Sequence, residues 1–180
     1  MQPTLSSLLP DDYPPFLLDV KERVRASQLR ALQAVNGELV TLYFDIGRLI
    51  AERQQGENWG KSVVEQLAAD LRSEFPGVSG FSASNLWRMR QFFLAYEAKE
   101  KLAPLVREIG WAHNVLIFEK CKEDAQREFY LKMTRRMGWT KNVLAAQIET
   151  KSYERTLLAQ TNFSTTLPQP LEAQAKLAVK

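Results

Sequence analysis

The sequence predicts an all-α protein, with one long N-terminal helix followed by a bundle of shorter helix-turn-helix, winged-helix-like units. Two observations favour this fold class. Apolar residues recur at steps of three and four along most of the 180 residues, which is the spacing of a helical face. No stretch keeps the strict apolar and polar alternation of a half-buried strand for more than a few residues. The composition, 45% hydrophobic and 25% charged, excludes collagen-like and wholly disordered classes.

The first predicted element is a flexible arm over residues 1–15, because its four prolines are incompatible with one continuous helix. A long helix over 16–54 follows and ends at Gly56. Part of this helix carries the a/d spacing of a heptad pattern over about three repeats. This seam comprises Leu29, Leu32, Asn36, Leu39, Tyr43, Ile46 and Ile50. It either packs against the rest of its own chain or joins subunits in a homo-oligomer, and the sequence leaves both open.

The spacing predicts five further helices, over 59–75, 82–98, 112–120, 123–137 and 140–151, with a short turn around Pro104. These helices complete a helical domain over 16–155. From Thr156 onward the composition shifts to Thr, Ser, Gln, Pro and Ala. We therefore expect residues 156–180 to form a linker.

One short pattern occurs three times, beginning at Gly80, Gly110 and Gly138. Each copy has an aromatic residue directly after the glycine and an apolar residue six positions after it. Such a pattern is typical of a helix start, because glycine ends the preceding element and Ser82 or Thr140 can cap the next helix. The copies indicate either repeated helix-turn-helix units or only shared capping rules.

The sequence excludes several classes of site. With one cysteine and one histidine, the chain forms no internal disulfide and supplies too few ligands for a Cys/His zinc cage. Cys121 and His113 belong to no nucleophile and base arrangement, so we expect both to pack structurally. There is no signal peptide and no membrane-spanning run, which favours a cytoplasmic protein with neither membrane partner nor small-molecule substrate.

A candidate DNA-binding face lies on the helix after the Pro76-Gly77 turn. Ser82 is expected to cap this helix, while Ser84, Arg88 and Gln91 share the side opposite to its apolar residues. A helix start followed by Arg and Gln can offer amides to phosphates and side chains to base edges. The alternative is a packed helix whose Arg88 and Gln91 are merely solvated.

A second basic region is predicted in the last third of the chain, where residues 120–180 hold eleven Lys or Arg against six Asp or Glu. Between Phe129 and Ile148 there is no acidic residue. Such a region gives affinity for phosphates without reading sequence. The residues expected to contact phosphates are Lys132, Arg135, Arg136 and Lys141.

Four ordered blocks resemble a known family. They are YFDIGRLI at 43–50, the segment from NWGKSVVEQLAADL to WRMRQFFLAY at 58–96, GWAHNVLIFEK at 110–120, and the segment from REFYLKMTRRMGWTKNVL to SYER at 127–155. Together they are similar to the N-terminal domain of YhcG-type bacterial nucleases, whose C-terminal domain is of the PD-(D/E)xK class. The resemblance implies a helical, winged-helix-like module that binds duplex or branched DNA.

The resemblance also implies that catalysis belongs elsewhere, because the sequence ends at Lys180 before any Asp and Glu-x-Lys set on a sheet. No nuclease activity and no cofactor are therefore expected of these residues, and Mg²⁺ is expected only for the nuclease domain. Three hypotheses follow: a DNA-binding and targeting module, a protein-interaction or oligomerisation module using the seam, and an enzyme complete within this chain.

Overall fold

The computed structural model describes residue 10 and residues 12–55 and 59–166, with side chains of the final helix described as far as residue 159. These ranges contain helices and no strand, so the predicted all-α class is confirmed. Without a strand there is no β-hairpin wing in the described ranges, and the winged-helix part of the prediction finds no support. The helices are α1 (Tyr13–Arg53), α2 (Lys61–Glu74), α3 (Ala83–Tyr96), α4 (Ala103–Arg107), α5 (Trp111–Lys120), α6 (Asp124–Met137), α7 (Lys141–Glu149) and α8 (Ser152–Thr166).

Helix α1 begins at Tyr13 rather than at the predicted residue 16, with prolines in its first turn. Prolines fit there because the first amides of a helix have no partner inside the helix. The helix therefore takes in the end of the predicted arm, whereas residues 1–9 and 11 lie outside the described residues.

Helices α1 and α3 cross with their backbones in close contact at Gly47. A Cβ atom at this position would lie closer than 3.0 Å to the carbonyl oxygen of Met89, a separation that real Cβ atoms essentially never show. Only glycine lets the two helices approach this closely. The crossing thus sets the position of α3, the helix that carries the predicted DNA-binding face.

The core has two clusters that meet at Trp111. The first joins α1, α2 and α3 around residues such as Val64 and Met89, and the second joins α1 with α3 to α7 around residues such as Ile117. The Trp111 ring packs against both clusters. Its centroid lies 4.9 Å from that of Tyr43 and 5.2 Å from that of Phe92, both in edge-on geometry, a favourable arrangement for aromatic pairs.

All three copies of the glycine and aromatic pattern begin helices, as predicted. The Ser82 hydroxyl accepts a hydrogen bond from the amide of Asn85, and the Thr140 hydroxyl accepts one from the amide of Val143. Gly110 is the N-cap of α5 without a side-chain bond. Gly138 ends α6 in the left-handed region at φ 61°, which glycine adopts at little cost.

The predicted seam divides into two halves. Its C-terminal residues Tyr43 and Ile50 are buried in the chain's own core, with Leu39 and Ile46 packed beside them. Its N-terminal residues Leu29, Leu32 and Asn36 are exposed. Within the described residues, the C-terminal half of the seam therefore packs in its own chain, and the joining of subunits by its N-terminal half stays a prediction.

Sequence analysis did not predict helix α8. It predicted a linker from residue 156, whereas the helix continues to Thr166. Composition failed here because packing holds the start of α8. The Tyr153 ring lies 5.5 Å from that of Phe129, and the amide of Tyr153 donates to the hydroxyl of Tyr130. Residues 167–180, the rest of the predicted linker, lie outside the described residues.

Candidate nucleic-acid interface

The predicted face of α3 points outward. Ser84, Arg88 and Gln91 are exposed, whereas Leu86 and Met89 on the other side are fully buried. This division follows from the helical period, since residues three and four apart lie on one face. The outward orientation predicted for the three polar residues is therefore correct, although orientation alone does not distinguish a binding face from a solvated one.

Helix α3 is joined to α2 by residues 75–82, a longer connection than the three or four residues of a typical DNA-binding helix-turn-helix. The connection is nevertheless well held. Gly80 lies at φ 106° against the Tyr43 hydroxyl. The side-chain amide nitrogen of Asn85, Nδ2, donates to the carbonyl oxygen of Gly80 at 2.7 Å. The Asn85 oxygen accepts from the Trp111 indole at 2.9 Å. One half-buried network therefore positions the start of α3 relative to α5.

Arg88 does not stand alone on this face. Its Nε lies 3.0 Å from a carboxylate oxygen of Glu119 on α5, and the two side chains are 45% and 39% exposed. Exposed ion pairs of this kind contribute about 0–1 kcal/mol. A phosphate can therefore replace the Glu119 carboxylate at small cost. Sequence analysis did not identify Glu119, because the contact joins residues from two different helices.

A groove of about 280 Å³ connects the face of α3 with α5 and the start of α7. Arg88 and Lys141 both line it, together with Glu119 and the largely apolar side chains of Trp111 and Val115. Lys141 is exposed and is the first residue of α7. Unpaired amides at a helix start attract anions. The fold therefore brings together two cations that the sequence assigned to separate regions.

The remaining predicted cations lie on the second half of α6, not at a helix start, and none of them lines the groove. Lys132 pairs with Glu128 at 2.6 Å within the same helix. Arg135 pairs with Glu108 at the end of α4 at 3.0 Å, with 61% of the Arg135 side chain exposed. Arg136 is exposed. The carboxylates of Glu128 and Glu108, which lie outside the acid-free stretch in sequence, thus pair with two of its cations, and the contact of these residues with phosphates stays a prediction.

His113 and Cys121 could have suggested catalysis or metal binding, but both side chains make structural contacts. One ring nitrogen of His113, Nε2, lies 2.9 Å from the carbonyl oxygen of Trp139, which ties α5 to the turn before α7. Cys121 is buried, and burial raises the pKa of its thiol to about 11, with Arg127 opposing and Glu154 adding to the shift. A thiol with such a pKa is a poor nucleophile at neutral pH.

Within the described ranges, no three His, Cys, Asp or Glu side chains are placed to hold a metal ion. None of the helices described is long and apolar enough to cross a membrane.

Comparison with known proteins gives two matches. The model of the DUF1016 N-terminal domain matches residues 19–155. Over 168 residues the chain is 30% identical to a protein of Escherichia coli (strain K12) named "Putative nuclease YhcG". That alignment covers 76% of this chain and 44% of the relative, so the chain spans less than half of the relative's length. No solved structure matches.

Proposed function

Because the chain belongs to the family of DUF1016 N-terminal domains, we propose that it is the DNA-binding and targeting module of a bacterial nuclease. DNA lies along the outward face of α3, with phosphates in the groove between α3, α5 and the start of α7. Hydrolysis belongs to the part of such a nuclease that lies outside the region matched here, and Mg²⁺ is required there. A cytoplasmic location stays a prediction.

The observation that carries this proposal is the shared groove of Arg88 and Lys141. Because both residues line one groove, the Arg88 guanidinium and the start of α7 each contribute positive potential to the same space. Gln91, one turn along α3 from Arg88, remains exposed and is able to reach base edges once phosphates fix the helix. The helix start capped by Ser82 lies at the other end of the same face.

Charge reversal tests the groove. Arg88→Glu and Lys141→Glu should each weaken binding of a fluorescent duplex or forked DNA about tenfold and reduce the slope of affinity against salt by about one counterion. The measurement is fluorescence anisotropy at a series of salt concentrations.

Arg48→Glu is the matched control. Arg48 is 47% exposed, close to the 45% of Arg88, and it too is paired with carboxylates, those of Asp45 and Glu52. It lies on α1, outside the groove. The control should bind DNA as the wild type does. Equal losses in all three variants would mean that only net charge matters, and unchanged binding in the groove variants would contradict the proposed interface.

We expect the cations of α6 to contact phosphates as well, with a smaller contribution to DNA affinity than the groove makes. Reversal of Arg135 and Arg136 to Glu together is expected to lower affinity for every DNA sequence alike and to flatten the salt dependence. If the double variant binds as tightly as the wild type at low salt, DNA does not extend to α6.

Self-association through α1 is the second candidate function. The exposed N-terminal half of the seam, with Leu29 and Leu32 at 57% and 63% exposure, favours it. Large apolar side chains in a row on an otherwise solvated helix commonly mark an interaction surface.

A further inference from the structure

The first half of α1 extends away from the packed body of the chain. Residues 13–36, called here the projecting segment, are all exposed except the half-buried Leu17. The segment is about 36 Å long. Leu18, Leu29 and Leu32 are more than half exposed on it. A single helix with no partner gains nothing from packing, which is the main source of helix stability in proteins.

The seam continues through the projecting segment toward the N-terminus. From Leu29, the alternating steps of four and three lead to Arg25, Glu22 and Leu18. Neither Glu22 nor Arg25 makes an ion pair or side-chain hydrogen bond with the described residues. The neighbouring Arg23 pairs with Asp19 at 3.0 Å, and Arg23 lies on the side of the helix away from the seam. The seam thus carries two charges of opposite sign, one turn apart, between two apolar ends.

We propose that the projecting segment pairs with the same segment of a second copy of this chain, in antiparallel orientation, which deepens the second candidate function above. The two-fold axis passes between Arg23 and Val24. Leu18 then packs on the partner's Leu29, and Glu22 faces the partner's Arg25. Two-fold symmetry forms each contact twice. Glu22 and Arg25 therefore each meet the opposite charge, and Leu18 and Leu29 meet each other.

A parallel arrangement of the two copies is disfavoured by the same residues, because it brings like charges together. In register, Glu22 would face the partner's Glu22 and Arg25 would face the partner's Arg25. Like charges across a helical interface disfavour pairing and serve in coiled coils to select orientation. Charge complementarity on the seam thus selects the antiparallel dimer.

The length of the projecting segment fits this register. Tyr13, the first residue of α1, faces the partner's Ala34, so the overlap ends just before Gly37. At Gly37 the packed body begins, since a Cβ there would lie 3.4 Å from the carbonyl oxygen of Arg107. The overlap therefore uses the exposed part of the helix and stops before the partner's body.

A charge-swap series tests the pairing with the full chain, by light scattering and sedimentation over a range of protein concentrations. The wild type is expected to show a concentration-dependent dimer. Glu22→Arg and Arg25→Glu should each raise the dissociation constant about tenfold, because attractive pairs become repulsive. The double variant E22R/R25E restores both pairs with exchanged signs and should return to near the wild-type constant. Arg23→Glu, the same change on the far side of the helix, is the control and should dimerise as the wild type does.

Cysteine cross-linking tests the orientation independently. A mixture of Leu18→Cys and Leu29→Cys chains should form a disulfide-linked dimer under mild oxidation, whereas neither variant alone should, because only these two positions face each other within reach of a disulfide. Cys121 is buried and does not compete. A wild type that is monomeric at all concentrations would overturn the second candidate function and this pairing together. A dimer that the double variant does not restore, or that Leu18→Cys alone cross-links, would overturn the antiparallel register while leaving self-association standing.

Discussion

Replacement of Gly47 by alanine tests whether the close crossing of α1 and α3 positions the DNA-binding face. In an exposed helix this change would stabilise the protein by about 1 kcal/mol, because alanine has the higher helix propensity. At Gly47 the added methyl meets the carbonyl group of Met89 at less than 3.0 Å, and backbone cannot swing aside as a side chain does. Overpacking of this kind costs about 3 kcal/mol. We expect a net loss of about 2 kcal/mol in the free energy of unfolding.

Gly37→Ala supplies the matched control, because Gly37 lies in the same helix. Its added methyl would come no closer than 3.4 Å to the Arg107 carbonyl oxygen, which is ordinary contact. This variant should therefore show the stabilisation of about 1 kcal/mol that propensity alone gives. Urea unfolding followed by far-UV circular dichroism, at one protein concentration, measures both. A Gly47→Ala protein as stable as the Gly37→Ala protein would refute the crossing, and with it the placement of α3.

Two further predictions concern other parts of the fold. Thr140→Ala removes the cap of α7 and should lower the free energy of unfolding by about 1 kcal/mol, measured from the urea midpoint. Thr140→Ser keeps a hydroxyl and should retain most of this stability. An unchanged midpoint in Thr140→Ala would show that the cap is not needed. Cys121 should resist a thiol reagent at neutral pH until urea unfolds the chain. Because the folded pKa of its thiol is about 11 and the ordinary value is 9.0, the unfolded state alone loses the proton between these values, so stability should fall as pH rises through this window. Cys121→Ala should fall less steeply, and equal slopes would contradict the burial argument.

The elements that the sequence predicted well are those whose signals are local. The caps at Ser82 and Thr140 each depend on one side chain and an amide three residues later. The outward orientation of Arg88 follows from the helical period alone. Local signals extend over one or two turns of helix, and these features require nothing more.

The features that the sequence did not predict depend on tertiary contacts. Glu119 meets Arg88, and Glu108 meets Arg135, only because folding brings their helices together. No period or composition shows which carboxylate will face which cation. The same holds for α8, where contacts of Tyr153 with α6 outweigh a composition typical of linkers. The sequence therefore predicted exposed cations, which the structure has, but not their neutralising partners.

Because Glu119 pairs with Arg88, replacing Glu119 tests the proposed interface most directly. If Arg88 exchanges the Glu119 carboxylate for a DNA phosphate, Glu119→Gln removes both a competitor and a repulsive charge from the groove. Fluorescence anisotropy at moderate salt should then show DNA affinity raised about threefold, in keeping with the small energy of an exposed pair. The combined variant with Arg88→Glu should lose this gain. Affinity that is unchanged or reduced in Glu119→Gln would mean that the ion pair is structural and that DNA does not enter the groove.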